Sequence, residues 1–470
     1  MVKNQYIYNS SLIYQAEQKT FKTIKSFQVM KKAANACYNY ITKNFKFKRI
    51  LILSGPGNNG GDGIVLAYFF LINNITVDIN FPFGNPKTKD SKKALRLILD
   101  KNIIKKNFKF NDYDLVIDAI YGIGFKKKIS KKNIIFFNKI NKLKCKIISI
   151  DIPSGVLSDS GQIYNTAIKA HTTLSLQWFK VGQLLLPGKE YCGKNILLNI
   201  GLKNINKNCF VKVNNLIKPP SPSSNDHKFS RGVCFIISGE NLIGASKLAY
   251  FAASQSALRS GAGLCKLLVN EKNINFFKAN VLEEMLVIYK NKKDLFSIIE
   301  NQNCNAAIFG CGIENTLENR KILNFLLQSK LNLVLDATFF SILKNDKSNF
   351  IRLLNYRSKK TVLTPHFGEF KRIFNVSNNK LNDCINAAKD SNSIVVYKGS
   401  DTVIGSPTGH AFINLYSSPY LATAGSGDVL TGLIGGFLSQ NISAINSARL
   451  GCFIHSQCGI NLGAGLISKI

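Results

Sequence analysis

The chain has 470 residues, 45% of them hydrophobic, and carries 62 Lys and Arg against 27 Asp and Glu, a formal net charge of +35. That length exceeds one ordinary hydrophobic core and predicts two domains. No apolar run approaches the ~20 residues a membrane helix needs, and the stretch Met1 to Ser10 lacks a signal-peptide core. A cytoplasmic protein with no membrane partner is therefore expected.

The basic excess is mostly lysine and is spread along the chain with Asn, Ile and Phe, as a skewed genome composition would produce. It predicts no nucleic-acid partner, although a basic surface favours phosphate-rich small substrates. Lys126 to Lys128 with Lys131 and Lys132 form the most patch-like cluster. The 11 cysteines are scattered with no C-x-x-C, which suits small buried thiols in a reducing compartment and neither a disulfide frame nor a zinc site.

Residues 1 to 45 read as helical, with Val29, Met30, Ala33, Ala34 and Ala36 on an apolar face. Arg49 to Leu53 reads as a buried strand and Ile64 to Ile72 as a helix. Between them lies S-G-P-G-N-N-G-G-D-G, Ser54 to Gly63. Its glycines would let backbone approach a ligand and take positive φ, and amides at the helix start favour an anion. Strands at Thr76 to Phe81, Asp114 to Ala119 and Lys146 to Ile150 alternate with helical segments such as Ser91 to Leu99, the rhythm of a parallel sheet covered on both faces. Asp118 and Asp151 close two of these strands and Ser154 follows, so with Asn59 they supply hard oxygen ligands suited to an alkali or alkaline-earth cation.

S-G-P-G-N-N-G-G-D-G, D-A-I-Y-G-I-G-F and D-I-P-S-G, in this order, resemble the NAD(P)H-hydrate epimerase family, the YjeF N-terminal domain. The resemblance implies that Asn58, Asn59, Gly60, Gly61 and Asp62, with Gly122, Ile123, Gly124, Phe125, Lys126, Lys127 and Lys128, bind the hydrated dinucleotide. It also implies that Asn59, Asp118 and Ser154 hold a potassium ion and that Asp151 contacts substrate. A carboxylate at a strand end beside a cation is the natural acid/base there.

After a strand-like Ile196 to Ile200, the segment Lys218 to Lys228, K-P-P-S-P-S-S-N-D-H-K, reads as a linker. The expected division is residues 1 to 215, a linker over 216 to 230, and 231 to 470. Strands are expected at Gly232 to Ser238, Leu264 to Val269, Ala306 to Phe309, Asn332 to Asp336, Thr361 to Thr364 and Ser393 to Tyr397. Small residues at every fourth position, Ala245, Ala249, Ala253, Ala257 and Gly261, predict a helix packed closely on a sheet.

A-T-A-G-S-G-D-V-L-T-G, Ala422 to Gly432, is a glycine turn opening an apolar helix, with Asp428 in its first turn. Upstream, K-G-S-D-T and T-P-H-F-G-E offer polar strand ends. These segments resemble the ribokinase-like superfamily and, more narrowly, the ADP-dependent NAD(P)H-hydrate dehydratases. The resemblance implies AMP-moiety contacts at Lys398, Gly399, Ser400, Asp401, Thr402 and Gly427, and hydrate contacts at Ala245, Gly312, His366 and Asp428. Two positions depart from the family pattern: G-C-G stands at Gly310 to Gly312 in place of Gly-Pro-Gly, and Phe367 replaces a proline.

The implied whole is α/β, a Rossmann-like three-layer sandwich followed by a ribokinase-like domain. It would epimerise hydrated NADH and NADPH, NADHX and NADPHX, and dehydrate the S form using ADP with Mg2+. A homo-oligomer is expected. The rival enzyme reading is a small-molecule kinase of the same superfamily fused to a binding domain, and the rival non-enzyme reading is a scaffold that kept the first domain's fold.

Overall fold

The computed structural model describes residues 6–126, 128–205, 210–219, 221–278, 285–344 and 346–467. The chain forms two compact units, Asn4–Lys212 and Val213–Ile470.

In the first unit, six parallel strands lie in the spatial order Thr76–Asn80, Arg49–Ser54, Leu115–Ala119, Lys146–Ile150, Thr172–Leu176, Lys194–Leu198. Alternate residues of one strand feed two separate cores. Ile50 and Ile52 pack with the Ser26–Asn44 and Asn58–Ile72 helices, whereas Leu51 and Leu53 pack with Phe137 and Ile140 of the Lys131–Asn141 helix. The sheet is thus buried on both faces, as parallel sheets require. The chain runs first to one side of Arg49–Ser54 and later to the other, so the switch point falls between that strand and Leu115–Ala119. Ligands of open α/β sheets bind in this crevice.

The glycine run between Arg49–Ser54 and its helix does not behave as its composition suggests. The helix begins at Asn58, not Ile64, and none of the glycines from Gly55 to Gly63 takes a positive φ. They are there for closeness. A Cβ on Gly55 would stand 1.8 Å from the Ile120 carbonyl oxygen, one on Gly60 1.9 Å from the Gly55 carbonyl oxygen, and one on Gly63 2.6 Å from Ala119 Cβ. Gly57 alone among these five meets nothing within 4 Å, and Gly61 faces the flexible end of Met30 at 2.6 Å with the Ser91 Cα behind it at 3.2 Å.

The second unit holds a ten-stranded sheet among the described residues, in the order Met285–Tyr289, Leu264–Asn270, Val233–Ile237, Ala306–Phe309, Asn332–Leu335, Thr361–Leu363, Ile394–Tyr397, Val403–Gly405, Ala411–Asn414, Val211–Asn214. The first seven are parallel, and Val403–Gly405 and Ala411–Asn414 continue antiparallel. Its switch point lies between Val233–Ile237 and Ala306–Phe309. The stripe of small residues lies on the Ile243–Arg259 helix, and the close approach it serves is to another helix as much as to the sheet. A Cβ on Gly432 would stand 2.2 Å from the Ala253 carbonyl oxygen, and one on Gly436 2.5 Å from that of Ala257.

The division between units falls ahead of the Lys218 to Lys228 stretch because Asn214 is fixed in the second unit. Its side-chain amide donates to Asn414 Oδ1 at 2.7 Å and to the Arg449 carbonyl at 3.0 Å. A fragment starting at Val211 is therefore expected to be more stable, by about 1–3 kcal/mol, than one starting at Pro219, since the shorter one leaves Asn414 without that donor. Denaturant melts of the two fragments check this; equal midpoints would return the boundary to the Pro/Ser segment.

Candidate functional sites

In the first unit, a cavity of about 1380 Å³ opens at the switch point. Asn58, Asn59 and Asp62 from the first turns of the Asn58–Ile72 helix line it, with Gly122 to Lys126, Lys128 and Asp151. Gly60 and Gly61 are buried behind this lining, and Lys127 lies outside the described residues.

Beneath the lining, the fully buried Asp118 takes hydrogen bonds from Ser154 Oγ at 2.5 Å, Ser154 N at 2.9 Å, Ser149 Oγ at 2.8 Å and Ile120 N at 3.2 Å. Burial raises the pKa of this carboxyl, and the donors from Ser154, Ser149 and Ile120 pull it back. Ser154 Oγ in turn accepts from Tyr121 N at 2.8 Å. The next residue, Gly122, sits directly over Asn59, 3.2 Å from its Cβ if it carried a Cβ of its own. The fold thus brings Asn59, Asp118 and Ser154 into one contiguous set. Both polar atoms of the Asn59 amide are buried without a hydrogen-bond partner among the described residues, a costly state that a bound group would relieve.

Asp151 stands at the end of Lys146–Ile150 with φ of 68°, left-handed backbone that Asp tolerates better than most residues. Its Oδ1 is in direct contact with Lys180 Nζ and accepts from Leu176 N at 3.2 Å, while Gln183 Nε2 donates to its carbonyl at 2.8 Å. Lys180 is 1% exposed yet lines the cavity. A second carboxyl, Glu17 on the Ser10–Phe21 helix, shares that cavity, and its pKa is pushed up to about 7 by burial and then by the Asp151 charge. Neither Lys180 nor Glu17 stands out in the sequence.

In the second unit, a smaller cavity of about 420 Å³ is lined by Lys398, Gly399, Ser400, Thr402, Gly427 and His366 among others. Asp401 is turned away from it and held by Lys380 Nζ at 2.5 Å, and Thr402 Oγ1 closes the turn by donating to the Gly399 carbonyl at 2.6 Å. Gly425, with φ of 83°, caps the Ser426–Ser439 helix, whose first turn carries Asp428. A Cβ on Gly427 would stand 3.7 Å from both Lys398 Nζ and Asp336 Oδ2.

Lys398 is not a free cation: it bonds Asp336 Oδ1 at 2.7 Å, with Glu369 Oε2 at 3.9 Å. Glu369 Oε2 accepts from the His366 amide at 2.9 Å, and its Oε1 lies 3.4 Å from His366 Nε2. Burial, then Asp336, raises the Glu369 carboxyl to about 7. Burial raises Asp428 to about 6, opposed by a hydrogen bond from Cys311. Cys311 sits in the G-C-G turn. The neighbouring Gly312, with φ of 64°, packs against Ala245, 2.9 Å from its carbonyl oxygen if a Cβ were present. Ala245 and Gly312 thus join Asp428 through Cys311, and none of these three predicted contacts is among the residues lining the cavity. Asp336 and Glu369 are the charged groups that the sequence reading left out of the site.

Two family models match the chain: that of the YjeF-related protein N-terminus over residues 26–182 and that of NAD(P)H-hydrate dehydratase over residues 234–465. The bifunctional NAD(P)H-hydrate repair enzyme of Dictyoglomus turgidum is 32% identical, over 93% of this chain and 90% of its own. That of Thermosynechococcus vestitus is 28% identical, over 92% and 88%. Among solved structures, the ADP/ATP-dependent NAD(P)H-hydrate dehydratase of Bacillus subtilis, co-crystallised with ATP and Mg2+, is 23% identical, spans 53% of this chain and 88% of that one, and superposes with a TM-score of 0.44. With both halves matched in order and a relative this similar along nearly its whole length, the chain belongs to the family of bifunctional NAD(P)H-hydrate repair enzymes.

Proposed function

We propose that the first unit interconverts the R and S forms of hydrated NADH and NADPH and that the second dehydrates the S form at the expense of ADP. The observation that carries this reading is the pairing, in one family member, of two cavities of different size. One is large enough for a dinucleotide and has a carboxylate–lysine pair on its lining; the other is sized for a mononucleotide and adjoins a helix start bearing Asp428.

In the first cavity the amides of Asn58 and Asn59 at the helix start receive phosphate oxygens. Asp151, in direct contact with Lys180, removes the proton from the ring hydroxyl as the bond between that carbon and the ring nitrogen opens. Glu17, the more readily protonated carboxyl, is suited to supply the proton that the nitrogen gains. Reclosure on the other face reverses both transfers.

A potassium ion fits the set Asn59, Asp118 and Ser154, with the partnerless Asn59 Oδ1 as its open ligand. Asp118 already receives four donors and joins the ion by releasing one, of which the Ile120 amide is the most distant. When bound, the ion supplies fixed positive charge beside the substrate. Epimerisation is accordingly expected to require potassium and to survive chelators of transition metals. Loss on mild chelation with recovery by zinc would overturn this ligand assignment.

In the second unit Asp428 takes the proton of the ring hydroxyl as its oxygen attacks the terminal phosphoryl group of ADP, with amides around Gly427 stabilising the transferring group. AMP leaves. Phosphate then departs with the electrons of the carbon–oxygen bond, and a proton lost from the neighbouring ring carbon restores the reduced nicotinamide. Mg2+ would accompany the nucleotide, held by phosphate oxygens, with the Asp336 carboxylate beside the Lys398 and Gly427 edge. The test is recovery of reduced-nicotinamide absorbance from each hydrate epimer, with and without ADP. Accumulation of a stable phosphorylated product with no reduced dinucleotide would make the second unit a kinase.

A further inference from the structure

The Ala444–Leu462 helix carries His455 against the wall of the smaller cavity, beside Cys452 and Ser456. Its Nε2 is buried and has no hydrogen-bond partner among the described residues, although it belongs to a side chain that lines the cavity. Leaving such an atom unpaired is costly, so the arrangement makes sense only if something in the cavity completes it.

The polarity of the missing partner follows from the other ring nitrogen. The imidazole is tied to the Ser426 backbone by a hydrogen bond that favours the protonated ring, the sign of a ring N–H donating to a carbonyl. With Nε2 partnerless, that donor is Nδ1, and in a neutral ring Nε2 is then an acceptor. Burial holds the ring neutral, and no carboxylate is among the groups acting on it; the charge it feels is Lys398, which also opposes protonation. A neutral acceptor repels phosphate oxygens. It pairs with an N–H or O–H of the nucleoside half of a nucleotide.

We propose that His455 is a specificity residue of the nucleotide site, its Nε2 accepting a hydrogen bond from the nucleoside half of ADP. The same helix start that would receive phosphate oxygens at Gly427 holds the ring through Ser426. His455 thereby links recognition of the nucleoside to placement of the phosphoryl-binding turn. This rests on the nucleotide reading of the cavity given above.

The donor is the amino group of the base or a ribose hydroxyl, and calorimetric titration of the full-length protein separates the two. The probes are ADP, 2′-deoxy-ADP, 3′-deoxy-ADP and the diphosphate of purine riboside, which lacks the amino group. Wild-type protein is expected to bind one of the three analogues about tenfold more weakly than ADP, and that analogue identifies the donor. His455→Phe is expected to bind ADP about tenfold more weakly than wild type and no longer to distinguish ADP from that analogue. His455→Asn, which keeps an acceptor, is expected to recover part of the discrimination. The denaturation midpoint of the second unit in each variant reports whether that unit is folded. Equal binding of ADP by wild type and His455→Phe overturns the proposal while leaving the nucleotide site standing, as does a uniform loss for all four probes. Failure of the wild-type protein to bind ADP overturns both.

Discussion

Replacing Asp428 with Asn is expected to slow ADP-dependent dehydration by a factor on the order of 10² to 10⁴ while epimerisation keeps its wild-type rate. The substitution keeps size and hydrogen bonding and removes only the proposed base. Nucleotide binding should persist, because Lys398, Gly399, Ser400 and Thr402 line the cavity independently of Asp428. Burial has raised this carboxyl to about 6, so below that pH it is protonated and cannot accept the hydroxyl proton. The wild-type dehydration rate should therefore climb as pH rises through about 6 and level off above it, and Asp428→Asn should lose that limb. Two channels measured on one preparation decide the matter: ADP-dependent recovery from the S hydrate, and R-to-S interconversion. Dehydration by Asp428→Asn at the wild-type rate would show that another group is the base.

A second large effect is expected from Lys180→Met. Removing one partner of a buried ion pair leaves the other charge uncompensated, which costs about 3–5 kcal/mol. Asp151 is only 8% exposed and is held in place by the Leu176 and Gln183 hydrogen bonds. Epimerisation is therefore expected to fall together with the midpoint of denaturation. Adding Asp151→Asn to Lys180→Met removes the stranded charge. The double variant should therefore regain most of the lost stability and none of the activity. A double variant as unstable as Lys180→Met alone would mean that Lys180 acts by packing its stem and not by pairing its charge.

The parts of these sites that could be read in the sequence lie where a strand ends and a turn begins. Asp118 and Asp151 announce themselves because each closes an apolar run, and Asp428 because glycines precede it. What could not be read is equally physical. Thr172–Leu176, T-T-L-S-L, lies within the first sheet, yet three of its five residues are polar. Thr173 Oγ1 donates to the Cys192 carbonyl at 2.7 Å, and Ser175 Oγ is bonded to Gln183, so buried hydroxyls stand where hydrophobic patterning looks for side chains of Val or Ile. The strands Val403–Gly405 and Ala411–Asn414 are too short to show a period. Lys180 is hidden by abundance, since in a chain with 62 Lys and Arg one lysine carries no signal until the fold buries it. Asp336 and Glu369 matter only because Lys398 lies between them.

The glycines from Gly55 to Gly63 bear differently on how this family is read. Their composition looks like that of a flexible loop bent round a ligand, but the contacts at Gly55, Gly60 and Gly63 set the thickness of a layer: how near one helix may come to the strands under it and to the turn at Ile120. A gap of one methyl group there would lift Asn58 and Asn59 away from Gly122 and widen the crevice along its whole edge. Intolerance of side chains at those positions is thus a gauge of spacing between two walls, and a relative that kept Asn59 and Asp151 but lost these glycines would keep its chemical groups and lose the distance across which they act.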